Sequence, residues 1–160
     1  MPVTSVKKDP MTLTMTIVAE FDATIARVWK LWEDPRQLER WWGPPTYPAT
    51  VTAYDFTPGG RVSYFMTGPG GDQPRGWWRF VAVESPHRIE FENGLADESG
   101  APQPDMPAMV VRVSLGEATP GRTRMAVESV FPSSEAMERF LHMGMEEGMC
   151  AAIGQVDALI

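Results

Sequence analysis

FDATIARVWKLWEDPRQLERWWGP, Phe21 to Pro44, decides how the rest of the chain is read, because it sets two helical segments between strand-like sequence on either side. Thr24 offers a side-chain oxygen at the N-cap, and Ile25, Val28, Trp29 and Trp32 recur at i, i+3, i+4 and i+7. That spacing is one apolar stripe on a helix of about two to three turns, which Pro35 ends. Arg36 to Trp42 reads as a second short helix stopping at Gly43-Pro44-Pro45, since proline has a fixed φ and no N–H. Upstream, Thr12 to Glu20 alternates Leu13, Met15 and Ile17 with Thr12, Thr14 and Thr16, the period-2 signature of a half-buried strand.

Downstream the pattern turns to strands over Ala49 to Phe56, Arg61 to Thr67, Gly76 to Glu84, Arg88 to Asn93, Ala108 to Leu115 and Thr123 to Phe131. Turn chemistry at Pro58-Gly59-Gly60, Gly68-Pro69-Gly70-Gly71, Ser85-Pro86 and Pro120-Gly121 separates them, and such short links favour an antiparallel meander. Gly94 to Pro107 is longer, charged and broken by proline, and is expected to be a mobile loop at the rim of any cavity. Ser133 caps a final helix running to about Leu159, with Met137, Leu141, Gly144, Gly148, Ala152, Val156 and Leu159 on one face; as one piece it extends roughly 40 Å. The expected fold class is α+β, with about seven strands, two short helices after the first and a long terminal helix. Residues 1–11 are expected to be a flexible segment ahead of a single domain, 12–160.

Composition narrows the partners. Over 160 residues, 14 Lys and Arg against 21 Asp and Glu give −7, and no basic block is present, which argues against nucleic acid and anionic membrane. No apolar run approaches the roughly 18 residues of a membrane span and the start has no apolar leader core, so a cytoplasmic location is expected. One cysteine, Cys150, and two histidines, His87 and His142, supply neither a disulfide nor a structural zinc site, and no cofactor or metal is expected. Phosphate-loop, dinucleotide, Gly-x-Ser-x-Gly and His-Glu-x-x-His patterns are absent from the sequence.

The quoted stretch, together with YDFTPGGRVSYFM (Tyr54 to Met66), VESPHRIEFENG (Val83 to Gly94) and MGMEEGM (Met143 to Met149), resembles the SRPBCC or START-like superfamily. The match is nearest to its branch related to the C-terminal domain of the activator of the 90-kDa heat-shock-protein ATPase, and it runs from about residue 12 to 160. The resemblance implies a helix-grip (START/Bet v-like) fold, a curved sheet around the last helix with an apolar cavity between them. One departure bears on the cavity wall: many relatives carry Gly-Trp in that helix, and this chain has Gly148-Met149.

Strand parity then names the candidate lining. Val62, Tyr64 and Met66 share a face, as do Trp78, Phe80 and Ala82, Ile89 and Phe91, Val111 and Val113, and Met125 and Val127. The ligand-binding set is Val62, Tyr64, Met66, Trp78, Phe80, Phe91, Val111, Met125, Met145, Gly148 and Met149, with Tyr64 the polar anchor. Gly144, Gly148 and Ala152 form a small-residue groove, read first as close packing on a strand and second as room for a ligand. Glu90 and Glu92 point outward opposite surface arginines such as Arg112 and Arg124, and no catalytic residue is assigned. Three functions are weighed: a binder of a small apolar or amphipathic molecule, a co-chaperone of a heat-shock ATPase, and a cyclase- or hydrolase-type enzyme. A homodimer and a chaperone partner are left open.

Overall fold

The computed structural model describes residues 2–160. Eight strands form one antiparallel sheet in the order β1-β2-β8-β7-β6-β5-β4-β3. They are β1 (Val3–Asp9), β2 (Thr14–Phe21), β3 (Ala49–Tyr54), β4 (Arg61–Met66), β5 (Arg75–Glu84), β6 (Arg88–Ala96), β7 (Met109–Thr119) and β8 (Arg122–Val130). β3 to β8 follow one another as the meander that their short turns require, while β2 joins β8 on the far side. The helices α1 (Ile25–Glu33) and α2 (Pro35–Leu38) carry the chain from β2, near one edge, to β3 at the other.

Several expectations are corrected. Residues 3–9 are not a loose leader but an edge strand, β1, paired with β2 from Val3↔Ala19 to Asp9↔Thr14. Lys7, Lys8 and Asp9 hid it, because charged residues at an exposed edge read as linker although an edge strand commonly carries them. The terminal helix is not one piece. It divides into α3 (Ser134–His142) and α4 (Met145–Gly154), followed by a 3₁₀ turn at Val156–Ala158. Gly144 stands between them at φ 89°, a left-handed backbone that L side chains adopt at a cost, and the chain changes direction there. The expected Gly94–Pro107 loop is also shorter than read: Gly94, Leu95 and Ala96 belong to β6, Ala96 bridges Pro102, and Met106 is buried in the core.

The caps behave as the sequence implies. Thr24 accepts from the Arg27 N–H and Ser133 from the Ala136 N–H. Val28, Trp29, Leu31 and Trp32 of α1 are buried, and the inner face of the sheet presents Met15, Ile17, Val62, Trp78, Phe80, Phe91, Val111, Val113, Met125 and Val127 to them. A bulge between Phe80 and Ala82 reverses the parity of β5, so Val81 is exposed and Val83, not Ala82, follows Phe80 onto the core side opposite Ile89. On the outer face, Glu90 pairs with Arg88 and Arg112, Arg112 with Glu128, Glu92 with Arg79, and Glu20 with Arg122 and Arg124. Among the described residues no helix is long and apolar enough to cross a membrane.

Candidate functional site

A cavity of about 210 Å³ lies between the inner sheet face, the α2–β3 connection and α4. β4 supplies Tyr64 and Met66, β6 supplies Asn93 to Leu95, β7 Met109 and β8 Val127. Trp32 of α1 and Trp41, Trp42 and Pro44 after α2 form a second wall. Phe140 of α3 and Met145, Gly148, Met149, Ala152 and Ile153 of α4 form the third.

Each wall is held in place by identifiable contacts. The indole N–H of Trp41 donates to the Leu31 carbonyl at 3.1 Å, fixing the turn after α2 against α1. Trp42 stands edge-on to Trp78, with ring centroids 4.8 Å apart at 83°, and Trp78 in turn stacks on Phe91 at 4.0 Å. From the end of α4, the Gln155 amide donates to the Gly43 carbonyl at 2.7 Å and to the Trp41 carbonyl at 3.3 Å, tying the tryptophan wall to the helix wall. At the other end of α4, Lys8 of β1 pairs with Glu146 at 2.5 Å, and the hydrogen bond to that carboxylate raises the Lys8 pKa. The edge strand missed in the sequence therefore anchors α4.

Of the residues assigned from sequence, the structure brings Tyr64, Met66, Met145, Gly148 and Met149 together around the cavity. Val62, Trp78, Phe80, Phe91, Val111 and Met125 share the inner face as expected but do not line it; they are core, with Trp32 and Trp42 packed on Trp78 and Phe91, and Tyr54 and Phe56 on Phe80. Gly148 settles the groove question in favour of space. A Cβ built on Gly148 meets nothing within 4 Å, so the glycine fronts the cavity rather than a strand. Sequence reasoning named Val127 by strand parity and Ala152 in the groove without adding either to the ligand-binding set, and it missed Asn93, Leu95, Met109, Phe140 and Ile153, as well as Trp41 and Trp42, as lining. A polar residue in register with Phe91 at strand spacing, Asn93, was the available signal.

The lining contains no Asp, Glu, Lys, Arg or His. Its polar side-chain groups are the Tyr64 hydroxyl and the Asn93 carboxamide; the Trp41 indole N–H is taken by the Leu31 carbonyl, and those of Trp32 and Trp42 are buried. Burial raises the Tyr64 pKa above the usual phenol value of 10.0 and keeps the hydroxyl protonated. The indole N–H groups of Trp42 and Trp78 face its oxygen and offset part of that shift, although neither reaches good hydrogen-bonding geometry. Cys150 lies on α4 outside the lining, and its thiol pKa is raised by burial and by Glu146 and Glu147, which disfavours the thiolate. His87 and His142 are exposed and away from the cavity.

A family model described as Activator of Hsp90 ATPase homolog 1-like protein matches residues 22–160. Among solved structures, protein Ms6760 from Mycobacterium smegmatis is 48% identical with a TM-score of 0.92, over 99% of this chain and 97% of that one. A protein from Arthrobacter aurescens is 53% identical with a TM-score of 0.93, over 98% and 90%. The AHSA1 protein from Silicibacter pomeroyi, at 20% identity and a TM-score of 0.72 over 91% and 95%, shares the fold. No curated protein matches the chain.

Proposed function

We propose that this chain, which belongs to the Activator of Hsp90 ATPase homolog 1-like family, holds a small, mainly apolar molecule in the cavity beneath α4. The observation that carries this reading is the charge-free lining of aromatic, methionine and aliphatic side chains around about 210 Å³. Concave, apolar surfaces with a few polar groups are what small-molecule sites consist of. The flexible thioethers of Met66, Met109, Met145 and Met149 adapt to varied apolar shapes.

Acid–base chemistry needs a positioned acid or base within hydrogen-bonding reach of substrate, and no carboxylate or imidazole stands in the lining. The co-chaperone reading rests on the family's description. The large apolar side chains exposed among the described residues, Met11, Val81, Met143 and Ile160, come from four separate stretches of the chain.

The test is a fluorescence titration with the neutral probe N-phenyl-1-naphthylamine, beside native mass spectrometry of freshly purified protein. Saturable one-to-one binding that Gly148→Leu abolishes, with the variant's melting temperature kept, is the expected result. Equal uptake by the variant, or none by the parent, sinks the reading.

A further inference from the structure

The floor of the cavity has a hydrogen-bonding polarity as well as an apolar character. Gly76 of β5 lies directly opposite Tyr64 on one side and Leu95 on the other. A Cβ on Gly76 would stand 2.3 Å from both Cζ and Oη of Tyr64, so the phenol lies across the bare backbone of β5 and brings its hydroxyl toward β6. Asn93, two residues before Leu95, is the next inward residue on β6 and lies opposite Trp78. The diagonal from Gly76 to Asn93 spans roughly 7 to 8 Å between backbones, which puts the phenol hydroxyl and the carboxamide on the same part of the cavity floor.

Donors and acceptors at this spot are not balanced. The Tyr64 oxygen is faced by the indole N–H groups of Trp42 and Trp78, which can only donate. Both indole nitrogens are buried with no other partner, so they face the lone pairs of the Tyr64 oxygen, and what the hydroxyl has left to offer a ligand is its proton. To that proton the Asn93 carboxamide, which also carries one acceptor oxygen, adds two more N–H groups, so donors outnumber acceptors here. Charge is excluded by the same lining: no cation is present to receive a carboxylate and no carboxylate to receive an amine, and burying an unpaired ion is far costlier than burying a neutral carbonyl.

We infer that the ligand class of this cavity is a neutral aromatic or aliphatic compound bearing a carbonyl-type acceptor, seated with its oxygen between the Tyr64 hydroxyl and the Asn93 amide. This rests on the cavity being a binding site and adds the chemistry it selects. Tyr64 and Asn93 are the specificity-determining pair, and the hydrocarbon part of the ligand lies toward Met149 and Ile153.

Calorimetric titration with three probes of one skeleton tests it: 2-acetylnaphthalene, its near-isostere 2-isopropenylnaphthalene, and 2-naphthoate at pH 7. Tyr64→Phe keeps the ring and removes only the hydroxyl; Asn93→Leu keeps the volume and removes the amide. Each variant should weaken the ketone by roughly 3- to 10-fold, the range of one net hydrogen bond, while the olefin changes by less than about twofold. The carboxylate should bind the parent at least about tenfold more weakly than the ketone. Melting temperatures check that both variants remain folded. Ketone and olefin losing affinity equally, no loss for the ketone in either variant, or naphthoate matching the ketone would each overturn the inference while leaving the cavity a binding site. If neither ketone nor olefin binds the parent, the binding reading itself fails.

Discussion

At Gly76 the absence of one methyl group shapes the cavity floor. A Cβ there would overlap the Tyr64 ring at 2.3 Å, far inside van der Waals contact, so alanine has to push the phenol off its seat. Gly76→Ala should therefore destabilise by about 1 to 3 kcal/mol, the usual cost of overpacking. In a Tyr64→Leu background the ring end is gone, and the same substitution should cost distinctly less. Urea denaturation of the four variants measures the coupling; equal costs in both backgrounds would show that the ring contact is not why glycine stands there. The residue scale is also where the site was least legible. Strand parity puts Tyr64, Met66 and Val127 on the inner face, but it also puts Val62, Trp78, Phe80, Phe91 and Val111 there. Which inner residues meet empty space depends on where α1 and the Trp41–Trp42 turn lie over the sheet, a packing outcome with no period of its own.

Among the elements, the two terminal helices carry glycines with opposite meanings. Gly144 takes φ 89° between α3 and α4, whereas Gly148 is mid-helix in α4 with nothing within 4 Å of its missing Cβ. Gly144→Ala should destabilise by roughly 1 to 2 kcal/mol, because a Cβ disfavours the left-handed backbone. Gly148→Ala should stabilise by up to about 1 kcal/mol through helix propensity. Thermal melts of the two single variants give the signs, and destabilisation by both would mean that the α4 glycine is packed after all. The sequence shows two small residues four apart and places them on one face of one helix, since nothing in that spacing reports a positive φ. The same limit applies to β1 and to the β5 bulge. Alternation made β2 and the β3–β8 meander readable, along with both helix N-caps, but a charged edge strand and a one-residue insertion leave the pattern looking like a linker or an unbroken strand.

For the whole molecule, charge makes stability depend on pH in two windows. At pH 7 the formal net charge is −7 and the sequence pI is about 4.8, so acidification first relieves self-repulsion. Further acidification protonates carboxylates that the fold holds ionised. Hydrogen bonds from Arg122 and Arg124 lower the Glu20 pKa, that from Lys30 lowers Glu33, and that from Ser99 lowers Asp97. A depressed folded pKa means that the contribution is complete above the unfolded value and disappears as pH falls through the folded one. At the alkaline end the sign is reversed. Burial raises Tyr54 and Tyr64 above the usual phenol value of 10.0, so the unfolded chain loses these protons first and stability is lost as pH climbs past that value. The melting temperature should hold or rise slightly from pH 7 to about 5, fall below about 4.5, and fall again above about 10. Tyr54→Phe separates the alkaline arm from general charge repulsion. It removes a titrating phenol together with the hydrogen bond that phenol donates to the Trp32 carbonyl, so the variant should be less stable at pH 7 yet lose less on going to pH 11. An alkaline slope unchanged in this variant would assign that arm to the deprotonation of surface lysines such as Lys8 and Lys30, whose raised pKa values in the ion pairs with Glu146 and Glu33 have the same sign.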